Sequence, residues 1–184
     1  MPQAVTHILV PILFVAIVRD FYLRTKDRKS FPLHYVLAAG IGGILPDIDI
    51  VFSVFLYLLG IPQWDIHKTF FHSLFFPLIF FLLFLVLRPV RARARICNLT
   101  KHKLKLSILF LMIAIGVLIH IFLDALIGGP AFFFYPFSFS NYEINLAASL
   151  PLAFRDLITP LLDGIVLVIW IVYLELKHKI SNFI

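Results

Sequence analysis

The sequence predicts an all-α membrane protein, a polytopic helical bundle of about five transmembrane helices with one of them broken at Pro46. Of the 184 residues, 61% are hydrophobic and 14% are charged, whereas a soluble domain is about 45–50% apolar and about 25% charged. Apolar stretches long enough to span a bilayer, about 20 residues each, alternate with clusters of charged residues. This pattern excludes a soluble globule and predicts a single integral membrane domain over residues 1–184.

Five apolar segments are the predicted spans: 4–18, 33–59, 67–87, 106–127 and 157–176. Turn-forming residues end the second and fourth segments, because Gly-Ile-Pro and Gly-Gly-Pro cannot continue a regular helix. Three glycines in the second segment, Gly40, Gly42 and Gly43, suit close packing against a neighbouring helix. The aromatic stretch 131–140 is predicted at the outer interface, either as a lid beside a binding site or as a membrane anchor.

Most of the positive charge lies in three clusters. All but two of the 16 Lys and Arg residues fall in the stretches 19–29, 88–105 and 177–179, the exceptions being Lys68 and Arg155. Five alternating spans place the three clusters on one side, which the positive-inside rule makes cytoplasmic. We therefore predict an inner-membrane protein with its N-terminus outside and its C-terminus in the cytoplasm. Topology explains the net charge, so membrane lipid is the expected partner and nucleic acid is not.

Two carboxylates, Asp47 and Asp49, follow Pro46 at membrane depth, where a charged side chain costs at least about 2.5–3.5 kcal/mol. On an ideal helix they would point about 200° apart. A break at Pro46 would let both turn inward, and broken helices are tolerated in membranes where protein covers them or where they line a cavity. An N-cap on a helix starting after Pro46 is the alternative, and it accounts for only one of the two.

Histidines and further carboxylates occur at matching depth, toward the outer face. The residues predicted to converge there as metal ligands are His7, Asp47, Asp49, His67, His72, His120 and Asp124. His120 and Asp124 share a helix face at i,i+4 spacing, which suits one ion or a hydrogen bond between them. His72 is expected on the first helical turns of its span. Asp163 is a lower-ranked ligand, or a cap after Pro160.

Imidazole and carboxylate ligands without thiolates suit Zn²⁺, and less selectively Mn²⁺ or Fe²⁺. The candidates outnumber the three protein ligands of a single catalytic zinc. We therefore predict a divalent-metal site of one or two ions, a pair being bridged by a carboxylate.

Three motifs follow one another in a familiar order: Leu-Pro-Asp-Ile-Asp at 45–49, His-Lys-x-x-x-His-Ser at 67–73, and His-x-x-x-Asp at 120–124. With Thr-His at 6–7, they resemble the YdjM-like family of inner-membrane metal-dependent hydrolases. The resemblance implies that the same seven candidates form the metal site. Lys68 and Phe71 stand where the family usually has Arg and Thr. Because Lys lacks the bidentate geometry of Arg, we expect substrate recognition to differ.

The predicted function is metal-dependent hydrolysis of a lipid-like phosphoester or a related membrane-associated substrate, through metal-activated water. Asp49 is the predicted general base, and Lys68 is predicted to hold the substrate's negative charge. Two alternatives use the same residues: a transporter for metal ions or protons, and a non-catalytic scaffold with a structural metal site. The confinement of the candidate ligands to one face counts against the transporter.

Overall fold

The computed structural model describes residues 4–27, 30–60, 69–89, 105–127 and 132–178. Within these ranges the regular structure is helical, without a β-strand. The α-helices are, in chain order, α1 (Ala4–Tyr22), α2 (Leu33–Ile44), α3 (Ile48–Leu58), α4 (Phe75–Leu87), α5 (Leu106–Ile127) and α6 (Leu152–His178). Short 3-10 turns lie at Phe70–His72 and Leu146–Ser149.

The helices α1, α5 and α6 are long and apolar enough to cross a bilayer, and the bent α2–α3 pair is a fourth candidate span. α4 is apolar but has 13 residues. At 1.5 Å per residue it is about 20 Å long, shorter than a hydrocarbon core of about 30 Å. The prediction of a helical membrane bundle is confirmed, and the predicted count of five spans is approximate.

The second predicted span is broken at Pro46, as expected. α2 ends at Ile44, α3 begins at Ile48, and the two helices are bent by 44°. Asp47 occupies the N-cap position of α3, but its side chain makes no capping hydrogen bond. The capping alternative therefore does not describe Asp47, whose carboxylate faces histidines of other segments.

α4 begins at Phe75, later than the predicted third span, whose first two residues lie outside the described ranges. His72 closes a 3-10 turn, and Ser73 after it has an extended backbone. Pro77 explains the late start, because it has no N–H for the Ser73 carbonyl and its ring would clash with that carbonyl in a helix. The expectation that His72 lies on the first turns of a helix is therefore wrong.

α6 begins at Leu152, earlier than predicted, and continues through Pro160. The Arg155 side chain donates from Nε to the Leu150 carbonyl at 3.0 Å and from Nη2 to the Ala148 carbonyl at 2.7 Å. These bonds tie the preceding loop to the first turn of α6. Because α6 runs without a break from Leu152 to His178, Asp163 does not cap a helix that begins after Pro160.

Small residues bring α1, α2 and α5 into close contact. A Cβ at Gly43 would overlap the carbonyl oxygen of His7, and a Cβ at Gly116 would overlap the carbonyl oxygen of Ala39. Pro11 lies four residues after His7 and has no N–H to donate to it, so the His7 carbonyl is open to this approach. The glycines therefore set the distance between the three helices.

The middle of the bundle is apolar. Ile12 and Val15 of α1, Ala39 of α2 and Met112 of α5 are buried together. Only 6% of the α6 span is buried within the protein, against 39% for α1 and α5. Because α6 exposes apolar side chains over most of its surface, we assign that surface to contact with lipid.

The three basic clusters begin or end at one end of the bundle. The Tyr173 hydroxyl donates to Asp20 at 3.0 Å, which joins the C-terminal halves of α1 and α6. The backbone N–H of Lys105 donates to the Tyr35 hydroxyl at 2.8 Å, which joins the start of α5 to the start of α2. We call this the basic end, marked by Arg19, Arg24, Lys105 and Lys177.

We expect Gly116→Ala to destabilise the protein by about 1–3 kcal/mol, the usual cost of overpacking, because the new methyl group meets the backbone of α2. Gly164→Ala is the matched control, since a Cβ at Gly164 has no neighbour within 4 Å. Thermal unfolding in detergent, followed by circular dichroism, measures both. Equal melting temperatures for the two variants would show that the close approach of α2 and α5 is not a constraint.

Candidate functional site

Imidazoles and carboxylates from four separate segments converge at the end of the bundle opposite the basic end. This His/Asp cluster consists of His7, Asp47, Asp49, His72, His120 and Asp124. Asp49 and His120 are fully buried and Asp124 is nearly so. The Asp47 side chain keeps 22% of its surface exposed. Among the described members of the cluster, Asp47 is therefore the one that solvent reaches.

Four ligand atoms of the cluster face one another. The Nε2 atoms of His72 and His120 are 3.3 Å apart, and Asp47 Oδ1 lies 3.6 Å from each. Asp124 Oδ2 lies 3.5 Å from the Nε2 of His72 and 3.7 Å from that of His120. Ligands held tetrahedrally at zinc distances of about 2.0–2.2 Å are about 3.3–3.6 Å apart. These separations are those of ligands around one ion, and most of them are longer than a hydrogen bond of about 2.7–3.2 Å.

The outer nitrogens of both histidines face oxygen atoms. His120 Nδ1 lies 2.7 Å from the carbonyl oxygen of Gly43, at hydrogen-bond distance, and His72 Nδ1 makes an ion-pair contact of 3.3 Å with Asp49 Oδ2. An Nδ1–H donated to Gly43 leaves the Nε2 lone pair of His120 directed at the centre of the cluster, and the contact with Asp49 on the other side of the His72 ring leaves its Nε2 facing the same centre. Both rings are therefore oriented as metal ligands.

Asp49 lies behind His72, on the side away from the other ligand atoms. Its contact with the outer nitrogen of His72, together with its complete burial, favours an orienting role over direct ligation or proton transfer to a reacting water. Carboxylate–histidine pairs of this kind fix the tautomer of a ligating imidazole.

His7 reaches the cluster from α1. Its Nε2 lies 3.3 Å from Asp124 Oδ1, and its ring stacks on that of His120 with centroids 3.8 Å apart. His7, His120 and Asp124 form a second group with the spacing of metal ligands, which shares His120 with the group Asp47, His72 and His120. With Nδ1 donated to Gly43, His120 has one lone pair and can ligate one ion. The described residues therefore offer ligands for one ion, and Asp124, which contacts both His7 and His72, is placed to bridge to a second.

Asp163 supports the cluster from α6. Its Oδ1 accepts from the backbone N–H of Thr6 at 2.9 Å and from the Thr6 hydroxyl. The Thr6 N–H lies in the first turn of α1, where it has no partner in its own helix, and a carboxylate there also stabilises the positive end of the helix dipole. Asp163 thus anchors the turn that carries His7.

Two contacts of the site were not predicted from the sequence: the bond of the Gly43 carbonyl to His120 and the bond of Asp163, predicted as a lower-ranked ligand or a cap, to Thr6. The contact of the Gly43 carbonyl cannot be predicted from a pattern of side chains, because every residue has a backbone carbonyl. Asp163 did carry a signal, an acidic residue in an apolar segment, but its partner Thr6 is 157 residues away. The predicted site residues His67 and Lys68 lie outside the described residues.

The comparison with protein families bears directly on these motifs. The family model for the YdjM inner membrane protein matches residues 1–178. The chain belongs to the YdjM inner membrane protein family. This confirms the resemblance carried by the motifs and, with the candidate spans, supports a membrane location. No curated protein and no solved structure gives a significant match.

In this YdjM family protein, the aromatic connection after α5 packs against the cluster end. The backbone N–H of Leu74, two residues after His72, donates to the Phe133 carbonyl at 3.0 Å. The Phe133 ring stacks on Tyr142, whereas Phe137 is 82% exposed. The connection therefore combines an inward-facing part with an outward-facing apolar part, as both a lid and an anchor would require.

We expect His120→Ala and Asp124→Ala to lower the metal content of the purified protein at least tenfold, because each removes one of the converging ligand atoms. His34→Ala is the matched control, a histidine at the other end of α2. Elemental analysis of the three variants and the wild type makes the comparison. Unchanged metal content in both cluster variants, or an equal loss in the control, would contradict the site.

We expect Asp163→Asn and Thr6→Val each to weaken metal affinity, because each loosens the turn that holds His7. Since the two side chains act through one contact, the double variant should lose less than the sum of the two effects. Asp156→Asn, an exposed carboxylate on the same helix, is the control. Competition titration with a chelator measures affinity, and strictly additive losses would show that Asp163 does not act through Thr6.

Proposed function

We propose that the protein is a membrane-embedded metal-dependent hydrolase that uses Zn²⁺ and acts on a lipid-like phosphoester. The observation that carries this proposal is the convergence of His72, His120 and Asp124 at the spacing of ligands to one ion, with the partly exposed carboxylate of Asp47 beside them. A catalytic zinc site keeps one coordination position open to water or substrate, whereas a structural site is closed.

In the proposed reaction some residues would bind the ion and others would orient these ligands. Bound zinc would lower the pKa of a coordinated water and polarise a phosphoryl oxygen. His72 and His120 are ligands pre-oriented by Asp49 and by the Gly43 carbonyl. Preorientation of this kind reduces the rearrangement needed when substrate binds.

Asp47 is the best-placed general base in this proposal. Its carboxylate is the accessible one in the described cluster, so it can take a proton from a water at the open edge. Asp49, the base expected from the sequence, is fully buried against His72, and we assign it the orienting role instead. His67 remains a proposed further ligand, and Lys68 a proposed partner for the negative charge of the substrate.

An apolar groove lies between α5 and the aromatic connection. It has a volume of about 500 Å³ and is lined by Phe122, Leu126, Phe133 and Tyr142. Phe122 and Leu126 lie about 200° around the helix from His120 and Asp124. The Phe133 carbonyl accepts from Leu74, which links the groove to the segment that carries His72. The groove suits an acyl or prenyl chain that enters from the lipid.

The distribution of positively charged residues supports one orientation of the protein in the membrane. With the basic end in the cytoplasm, as the positive-inside rule requires, the His/Asp cluster lies near the extracytoplasmic face. The substrate would then be a lipid of the outer leaflet. A transporter is less well supported, because the apolar layer of Ile12, Ala39 and Met112 separates the cluster from the basic end among the described residues.

We expect the zinc-loaded protein in detergent micelles to hydrolyse a chromogenic phosphoester, and Asp47→Asn to lower kcat at least 100-fold, within the usual contribution of a general base of about 10²–10⁴. Asp156→Asn, which changes an exposed carboxylate on α6 outside the cluster and the groove, should leave kcat unchanged. Release of the chromophore over time gives both values.

Asp49→Asn separates the two roles assigned to the aspartates. Loss of an orienting residue should weaken metal affinity about 10–100-fold, and excess zinc should restore most of the activity of the Asp49→Asn variant. Excess zinc should not restore the activity of the Asp47→Asn variant. Zinc binding without hydrolysis of any phosphoester or carboxylic ester, together with zinc flux into proteoliposomes, would replace the hydrolase with a transporter.

A further inference from the structure

A second pocket lies at the basic end, between α1, α2 and α6, far from the His/Asp cluster. Its volume is about 580 Å³, and its charged lining residues are Arg19, Asp20, Arg24 and Lys177. Arg19 follows His7 by 12 residues along α1, which is about 18 Å of helix. The pocket and the cluster therefore lie near opposite faces of the membrane.

Positive charge exceeds negative charge in this pocket. Asp20 is the one described carboxylate in its lining. It accepts from the Tyr173 hydroxyl at 3.0 Å and also lies 3.5 Å from Lys177 Nζ and 3.8 Å from Arg19 Nη1. A single carboxylate shared in this way leaves the two cations incompletely neutralised.

Arg24 adds a third positive charge. Its guanidinium lies over the ring of Phe21, 4.3 Å from the centroid, and it forms no ion pair with a described carboxylate. A guanidinium held on an aromatic face keeps its N–H donors available, and planar donors of this kind suit phosphate oxygens.

The wall beneath these charges is apolar and faces outward. Ile17, Phe21 and Leu33 line the pocket, and all three side chains are exposed. A charged rim above an exposed apolar wall, at the end of membrane-spanning helices, has the two-part chemistry of a phospholipid. Basic pockets between membrane helices bind anionic headgroups by this means.

We propose that this pocket binds the headgroup phosphate of an anionic phospholipid, with the acyl chains lying along Ile17, Phe21 and Leu33. Arg24 and Lys177 are the exposed phosphate donors, and Arg19 is held inward by its bond to the Phe31 carbonyl at 2.9 Å. The bound lipid joins α1 to α6 at this end. The proposal is independent of the hydrolase, because it involves no residue of the His/Asp cluster.

Trp170 provides a reporter, since its ring stacks on Tyr173 of the pocket with centroids 5.6 Å apart. In the Trp64→Phe background it is the sole tryptophan. The full chain is reconstituted in vesicles that contain brominated phosphatidylglycerol or brominated phosphatidylcholine, and quenching of Trp170 gives the relative affinity for the two lipids. We expect a preference of at least tenfold for the anionic lipid.

Arg24→Gln with Lys177→Gln should remove most of that preference, about fivefold for each charge lost. The matched control, Lys26→Gln with Lys105→Gln, removes the same charge outside the pocket lining and should keep the preference. Melting temperatures verify that both double variants fold. Equal quenching by the two lipids in the parent protein, or an equal loss in the control, would overturn the proposal. Relief of quenching by millimolar inorganic phosphate would instead identify a soluble phosphate as the ligand.

Discussion

Charge buried at membrane depth is the constraint on which the rest of this structure depends. Asp49 and Asp124 are 0% and 1% exposed, and a carboxylate in such surroundings is costly unless it is paired and hydrogen-bonded. Histidines from three segments surround these carboxylates and supply part of the compensation. A divalent cation at the centre would supply the rest, because an imidazole that offers a lone pair to a metal is neutral and does not balance a carboxylate.

The backbone at Gly43 contributes both to helix packing and to the geometry of the site. Gly43 packs against the carbonyl of His7, and its own carbonyl accepts from His120 Nδ1 at 2.7 Å. The close approach of α1, α2 and α5 therefore also orients two of the three histidines. Asp163 extends the arrangement to α6, which otherwise touches the bundle along little of its length. The lipid-facing helix thus helps to position the first residue of the cluster.

The two ends of the bundle have opposite chemistry, and the apolar core keeps them apart. One end concentrates ligands for a cation, and the other concentrates donors for an anion. In a bilayer this separation means that the two ends meet different leaflets. The proposed hydrolase, which would take its substrate from one leaflet and bind lipid of the other, needs no polar path between the two ends, whereas a transporter does.

The helical membrane class, the break at Pro46 and the meeting of His7, Asp47, His72, His120 and Asp124 at one end of the bundle could be predicted from the chain, because hydropathy, proline chemistry and the rise of a helix act along one dimension. The late start of α4 could also have been predicted from Pro77, but it was not. The position of Asp49 behind His72, the bond of Asp163 to Thr6 and the contact of the Gly43 carbonyl with His120 could not be predicted in this way. These contacts depend on how each helix is rotated about its axis and on how closely neighbours approach, and both are set by packing between residues far apart in the chain.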